Sequence, residues 1–300
     1  MPAPLALVGA TATGKSALGV QLAERLGRAE IISVDSMQVY RGMDIGTAKA
    51  TKEEQARVPH HLVDVLDHSE ECSVSWFKAQ ARSAAEGLTG RGNVPVYVGG
   101  TGLYHRAVID DLDIPGQWPE VLAELDSEPD TDALHDRLAE IDSAAAQRIE
   151  STNRRRTLRA LEVTLGAGRP FSSFGPGLEA YPESDIVQVG LQLEREVMRT
   201  RVEARFHDQM RRGFLDEVIR LESSEPHWSR TAEQALGYRE LLRHVRTDDD
   251  LAACVDEAVN RTRRFAVRQE RWFRRDPRIH WVAADAPDLI DQVEAHWLGR

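Results

Sequence analysis

The chain has 300 residues, of which 41% are apolar and 29% charged, with a formal net charge of −11. That is an ordinary globular composition: no apolar run is long enough to cross a bilayer. The two cysteines, Cys72 and Cys254, exclude a disulfide scaffold and fit a reduced, cytoplasmic protein.

The first element is an apolar strand, Leu5–Val8, running into GATATGKS. The stretch PLALVGATA ends in a small-x-small triplet, but it lacks a basic start and the triplet lies inside a glycine loop. It is therefore not read as a signal peptide. Gly9, Ala10, Thr11, Ala12, Thr13, Gly14, Lys15 and Ser16 match G-x-x-x-x-G-K-[ST]. The glycines let successive backbone N–H groups face phosphate oxygens, and the next helix adds its positive end. Lys15 supplies a mobile charge and the Ser16 hydroxyl a natural Mg²⁺ ligand. The helix itself is SALGVQLAERLG, apolar at helical spacing and stopped by Gly27.

Further strands are expected at Ile31–Val34, Leu62–Leu66 and Pro95–Val98, with a helix over 75–88 capped by Ser75. Strands alternating with helices imply a parallel sheet covered on both faces. Asp35 follows the second strand, at the sheet edge that carries the phosphate loop, where it can bind a metal or accept a proton. Gly99, Gly100 and Thr101 end the fourth strand at that edge. The pair His60–His61 has no third ligand nearby, so a structural or substrate-edge role is favoured over zinc.

Breakers at 113–120 open a stretch, 119–167, that reads as all helix, and strand character resumes at 186–193 and near 278. The fold class is α/β, with core segments 1–113 and 186–300 and an inserted all-helical domain at 114–185. The arginines are clustered: four in 154–159 without an acid, and eight in 261–278 against Glu270 and Asp276. Arg261, Arg264, Arg268, Arg271 and Arg275 recur at helical spacing as one stripe, which favours a polyanionic partner. Phe265 and Trp272 are read as core.

Together, GATATGKS, DSMQVYRGMDIGTAK, PHHLVD, GGTGLY, RRTLRALEV, ALGYRE and RFAVRQERWFRR resemble the tRNA dimethylallyltransferases over nearly the whole chain. The resemblance implies a P-loop NTPase-like core and transfer of a dimethylallyl group to N6 of adenosine 37, beside the tRNA anticodon. Dimethylallyl diphosphate would sit in the loop Gly9–Ser16 with Mg²⁺ on Ser16, Lys15 and Ser16 neutralising the leaving group. Asp35 would be the general base and Thr101 its partner at the amine. Asp35, Ser36, Met37, Gln38 and Thr101 would contact tRNA, as would Arg155, Arg156, Thr157, Leu158 and Arg159. Arg239 would lie near the diphosphate. A monomer without membrane contact is expected. The chain departs from the family pattern at Ala10, Ala50, Leu122 and Val267. The rival readings are a P-loop kinase of a small hydroxyl metabolite, with Asp35 as base, and a non-catalytic nucleotide-dependent RNA-binding protein. Neither a metabolite kinase nor its substrate would need the arginine clusters.

Overall fold

The structure, a computed structural model, describes residues 1–299 apart from 176 and 225. Six strands, β1 (Leu5–Gly9), β2 (Ala29–Val34), β3 (His60–His61), β4 (Val94–Gly99), β5 (Val187–Gln192) and β6 (His280–Ala283), form one sheet. Its order is β3-β2-β4-β1-β5-β6 and every pairing is parallel. Parallel strands leave the sheet at a common edge, so the segments following β1, β2 and β4 start side by side. The register sharpens this. Val34 pairs with Gly99, and Leu7 with Val98, so Asp35, Gly100 and the glycine loop emerge together.

Alternation along the strands divides the core. Leu5, Leu7, Ile31, Val96 and Val98 pack on one face against Leu18 and Leu22 of helix Lys15–Leu26 and Trp297 of helix Leu289–Leu298. Ala6, Ile32, Val34 and Tyr97 pack on the other, against Phe77 and Ala81 of helix Val74–Gly90 and Ala258 of helix Leu251–Phe273. Burial on both faces is why these strands read as continuous apolar runs.

Three local expectations change. The third strand is His60–His61, not Leu62–Leu66: Leu62 and Asp64 have φ of 62° and 57°, which breaks an extended run. Leu62 is apolar because it is buried, and Leu66 makes only an isolated bridge to Tyr40. Helix Val74–Gly90 is capped by Ser73 rather than Ser75, its side chain accepting from Trp76 N. The stretch 119–167 is four helices, Pro119–Asp126, Thr131–Ile141, Ser143–Arg148 and Arg154–Ala167. Asp130, Asp142 and Asn153 each accept a backbone N–H at a helix start, and such caps favour a new helix over continuation.

The chain divides into two compact units, Met1–Ile109 with Glu183–Arg300, and Asp110–Pro182. The second unit is helical, built around Leu125, Leu134, Leu138, Leu158 and Leu161. Among the described residues, no helix is long and apolar enough to cross a membrane.

Candidate active site

Gly9 ends β1 with φ of 139°, and a Cβ there would lie 2.5 Å from the Leu191 carbonyl oxygen on β5. Ala12 and Gly14, at φ of 66° and 88°, complete the turn into helix Lys15–Leu26. The loop is held from within: the Thr13 hydroxyl donates to the Ala10 carbonyl at 2.9 Å, and Lys15 Nζ donates to the same oxygen at 2.6 Å. Burial pushes the Lys15 ammonium down to about 7; Arg205 adds to the fall and Asp35 opposes it. Ser16 is exposed at the first turn of the helix.

Arg205, on helix Arg195–Arg211, donates from Nη2 to the Thr11 hydroxyl at 2.7 Å, and its Nε is buried without a partner among the described residues. Burial lowers its pKa, while Asp35 supports its charge. A cation kept in such a place beside a phosphate loop is suited to an anion. The sequence reading passed over this residue.

Asp35 leaves the end of β2. The Met37 N–H donates to its Oδ1 at 2.9 Å. The carboxyl is half-buried by exposed area, yet closely surrounded. Burial raises its pKa, against the pull of the Met37 N–H, Lys15, the Gln38 N–H and Arg205. The Thr101 hydroxyl accepts the Ser36 N–H at 3.4 Å, which ties the segment after β4 to the segment after β2. Gln38 turns inward. Its Oε1 accepts the Ser33 hydroxyl at 2.8 Å and its Nε2 donates to the Thr47 carbonyl at 3.2 Å.

The rest of DSMQVYRGMDIGTAK is scaffolding. Glu217 is buried and accepts the Asp44, Ile45 and Gly46 N–H groups at 3.0, 2.8 and 3.2 Å. The Lys49 side chain is 3% exposed and pairs with Asp44 and Asp64. It therefore fixes the loop instead of facing a ligand. His61 Nε2 lies 2.7 Å from Glu30, and His60 Nδ1 2.7 Å from the Val58 carbonyl.

The other sequence candidates differ in exposure and partners. Arg239 is exposed and donates to Gln234 at 3.0 Å; among the described residues it makes no bond to the loop. In helix Arg154–Ala167, Arg155 and Arg156 are exposed, whereas Thr157 and Leu158 are 0% and 8% exposed. Leu158 packs in the apolar cluster of its own unit, and Thr157 is fully buried, so neither side chain is exposed. Arg159 pairs with Glu162 at 2.9 Å and donates to the Pro115 and Gly116 carbonyls. The arginine stripe is shorter than its spacing suggests: Arg261 turns inward onto buried Glu240, while Arg264, Arg268, Arg271 and Arg275 are exposed. The guanidinium of Arg268 lies 5.7 Å from the Phe265 ring centroid. Val267 packs against the small apolar cluster that contains Ala10, Met198, Val202 and Ala266.

A parallel sheet whose first strand opens through a glycine-rich turn, with Lys15 and Arg205 drawn to that turn, defines the P-loop NTPase-like class of fold. Comparison with known proteins narrows this. The IPP transferase family model matches residues 38–276, and the isopentenyl transferase model residues 4–63. A tRNA dimethylallyltransferase of Thermobifida fusca is 46% identical over 303 residues, covering 98% of this chain and 94% of the relative. One from Kineococcus radiotolerans is 47% identical over 300 residues, covering 96% and 93%. The crystal structure of a Bacillus halodurans tRNA isopentenylpyrophosphate transferase matches with a TM-score of 0.72 and 36% identity, covering 100% of this chain and 97% of that one. A eukaryotic dimethylallyltransferase acting on tRNA matches at 0.79 and 26% identity, covering 98% and 78%. The chain belongs to the tRNA dimethylallyltransferase family.

Proposed function

We propose that this member of the family moves a dimethylallyl group from dimethylallyl diphosphate to N6 of the adenosine beside the tRNA anticodon, with Asp35 as general base. The observation that carries this reading is the half-buried Asp35 carboxyl, its pKa raised, within electrostatic reach of both Lys15 and Arg205. A base and two cations at one sheet edge suit a reaction that loses a proton at one end and an anion at the other.

The exocyclic amine is a weak nucleophile because its lone pair is delocalised into the ring. As the N–C bond forms and the allylic C–O bond breaks, Asp35 accepts the amine proton, so no positive charge is left on nitrogen. The departing diphosphate takes the electron pair of the C–O bond. Lys15, Arg205 and the backbone N–H groups of the loop stabilise that negative charge. Thr101, held beside Ser36, is positioned to hydrogen-bond the amine. An adenosine within an anticodon loop must be splayed out of its stack to reach such a site.

The residues fit Mg²⁺ in a limited way. The Ser16 hydroxyl is exposed and has no hydrogen-bond partner among the described residues, and no cluster of three His, Cys, Asp or Glu is found among them. Ser16 would hold the ion together with substrate oxygens, as is usual for Mg²⁺ that keeps most of its waters. When bound it would add positive charge at the diphosphate.

For the nucleic-acid side, the exposed Arg264, Arg268, Arg271 and Arg275 give an otherwise acidic chain a local positive face for RNA phosphates. Affinity for tRNA is expected to fall steeply with salt. Arg268→Ala and Arg271→Ala should each reduce the log–log salt slope by about 1, measured by filter binding across ionic strength. An unchanged slope would remove these side chains from the interface.

A further inference from the structure

Helix Leu251–Phe273 turns a buried stripe inward, comprising Val255, Ala258, Val259, Thr262, Ala266, Gln269 and Phe273. Gln269 is the polar outlier near its end, 7% exposed. Its Oε1 accepts the Thr11 N–H at 2.8 Å, and its Nε2 donates to the Gly100 carbonyl at 2.8 Å. One carboxamide thus joins the loop after β1 to the segment after β4.

Position 100 is shaped for this contact. A Cβ there would lie 2.4 Å from Gln269 Nε2 and 3.3 Å from the Gly9 carbonyl oxygen, so only glycine admits the amide. On the loop side, Thr11 also receives Arg205 through its hydroxyl. On the other side, Thr101 follows Gly100 and accepts the Ser36 N–H next to Asp35. The bridge lies between the two halves of the site.

We propose that Gln269 is a positioning residue for the transfer: its two hydrogen bonds set the spacing between the diphosphate loop and the Thr101–Asp35 edge. The inference rests on the prenyl-transfer reading above. In that reaction the leaving oxygen is held by one loop and the attacking amine by the other, so their separation governs how often the reacting atoms align. Misplacement by about 1 Å costs on the order of 100-fold in rate. Gln269 touches neither reacting atom and acts through Thr11 and Gly100.

The test is steady-state prenyl transfer to tRNA by the full chain and by Gln269→Met, which keeps the length and removes both hydrogen bonds. We expect kcat to fall about 10- to 100-fold, with donor KM and tRNA Kd within about threefold. A merely structural glutamine would lower thermal stability and the active fraction but leave the kcat of the folded enzyme unchanged. A double-mutant cycle with Thr101→Ala adds a second readout. If Gln269 acts through the Gly100–Thr101 segment, Gln269→Met should cost less than about threefold more once Thr101 is truncated. Should Gln269→Met fail to fold, Gln269→Glu serves in its place. It is isosteric, keeps an acceptor for Thr11 and sets an oxygen against the Gly100 carbonyl, so the same loss of kcat is expected. Unchanged kcat in the folded variants, or fully independent losses in the cycle, would overturn the proposal. Absence of transfer by the wild-type chain would instead sink the reading on which it rests.

Discussion

Asp35→Asn is expected to lower kcat by about 10²- to 10⁴-fold, the usual contribution of a general base, with tRNA binding largely kept. The substitution preserves shape and leaves an acceptor for the Met37 N–H, but the group can no longer take a proton. Because burial raises the Asp35 pKa, the base is protonated to a higher pH than an ordinary carboxyl. Wild-type kcat should therefore rise with pH through this group, and Asp35→Asn should lose that limb. The sign for stability is opposite. A carboxyl whose folded pKa lies above its unfolded value weakens the fold once the pH passes the unfolded value. At neutral pH the asparagine variant is expected to be at least as stable as the wild type by thermal denaturation. Loss of activity with tRNA binding and stability both retained is the signature sought; collapse of tRNA binding would reassign Asp35 to recognition.

The second large effect is at Lys15. Truncation to alanine should cost about 10²- to 10³-fold in kcat/KM for the prenyl donor, comparable with removal of one preorganised charge stabiliser. The fold should survive, since the ammonium is held only within its own loop, by the Ala10 carbonyl and the Thr13 hydroxyl, and is disfavoured by its own burial. With its pKa pushed down to about 7, the free enzyme carries less charge at Lys15 as the pH rises through that value. Donor binding must then take up a proton, so affinity for dimethylallyl diphosphate should weaken towards alkaline pH. An arginine remains charged throughout this range, and Lys15→Arg should flatten the dependence whatever it does to the rate. Isothermal titration in buffers of different ionisation enthalpy reads the proton uptake directly. No uptake above pH 7 would mean that the Lys15 ammonium stays charged in the free enzyme.

The residues legible in the sequence are those that end strands. Gly9–Ser16, Asp35 and Gly99–Thr101 could be placed together because parallel strands share a carboxyl edge, and an apolar run ending in glycine or an acid marks where each reaches it. Arg205 and Gln269 were not legible in that way, because they arrive from helices far along the chain. A signal was nonetheless present. Gln269 continues the inward spacing of Thr262, Ala266 and Phe273, and Arg205 adjoins the buried Val202 and Phe206. A polar residue at a buried helical position needs a partner; here both find theirs at Thr11. Conversely, an arginine-rich string reads alike whether its members face inward or outward. Arg261 has the spacing of the stripe but is claimed by Glu240. Thr157 and Leu158 share a string with Arg155 and Arg156 but are buried, Leu158 in the helical unit's apolar cluster. Spacing assigns residues to a face, and only tertiary partners decide which face is covered. The run Leu62–Leu66 illustrates a related point: it is apolar without being extended, because φ is positive at Leu62 and at Asp64, which pairs with Lys49.

On this reading the loop built on Lys15 and Ser16 holds a leaving group whose carbon–oxygen bond is broken by an RNA amine. The most direct measurement incubates the chain with dimethylallyl diphosphate, Mg²⁺ and unmodified tRNA carrying adenosine beside the anticodon, followed by nucleoside mass spectrometry of the digested RNA. N6-dimethylallyladenosine is expected to form in step with released diphosphate and to be absent when Asp35 is asparagine. Unmodified adenosine, together with ATP hydrolysis stimulated by a small hydroxyl metabolite, would contradict it.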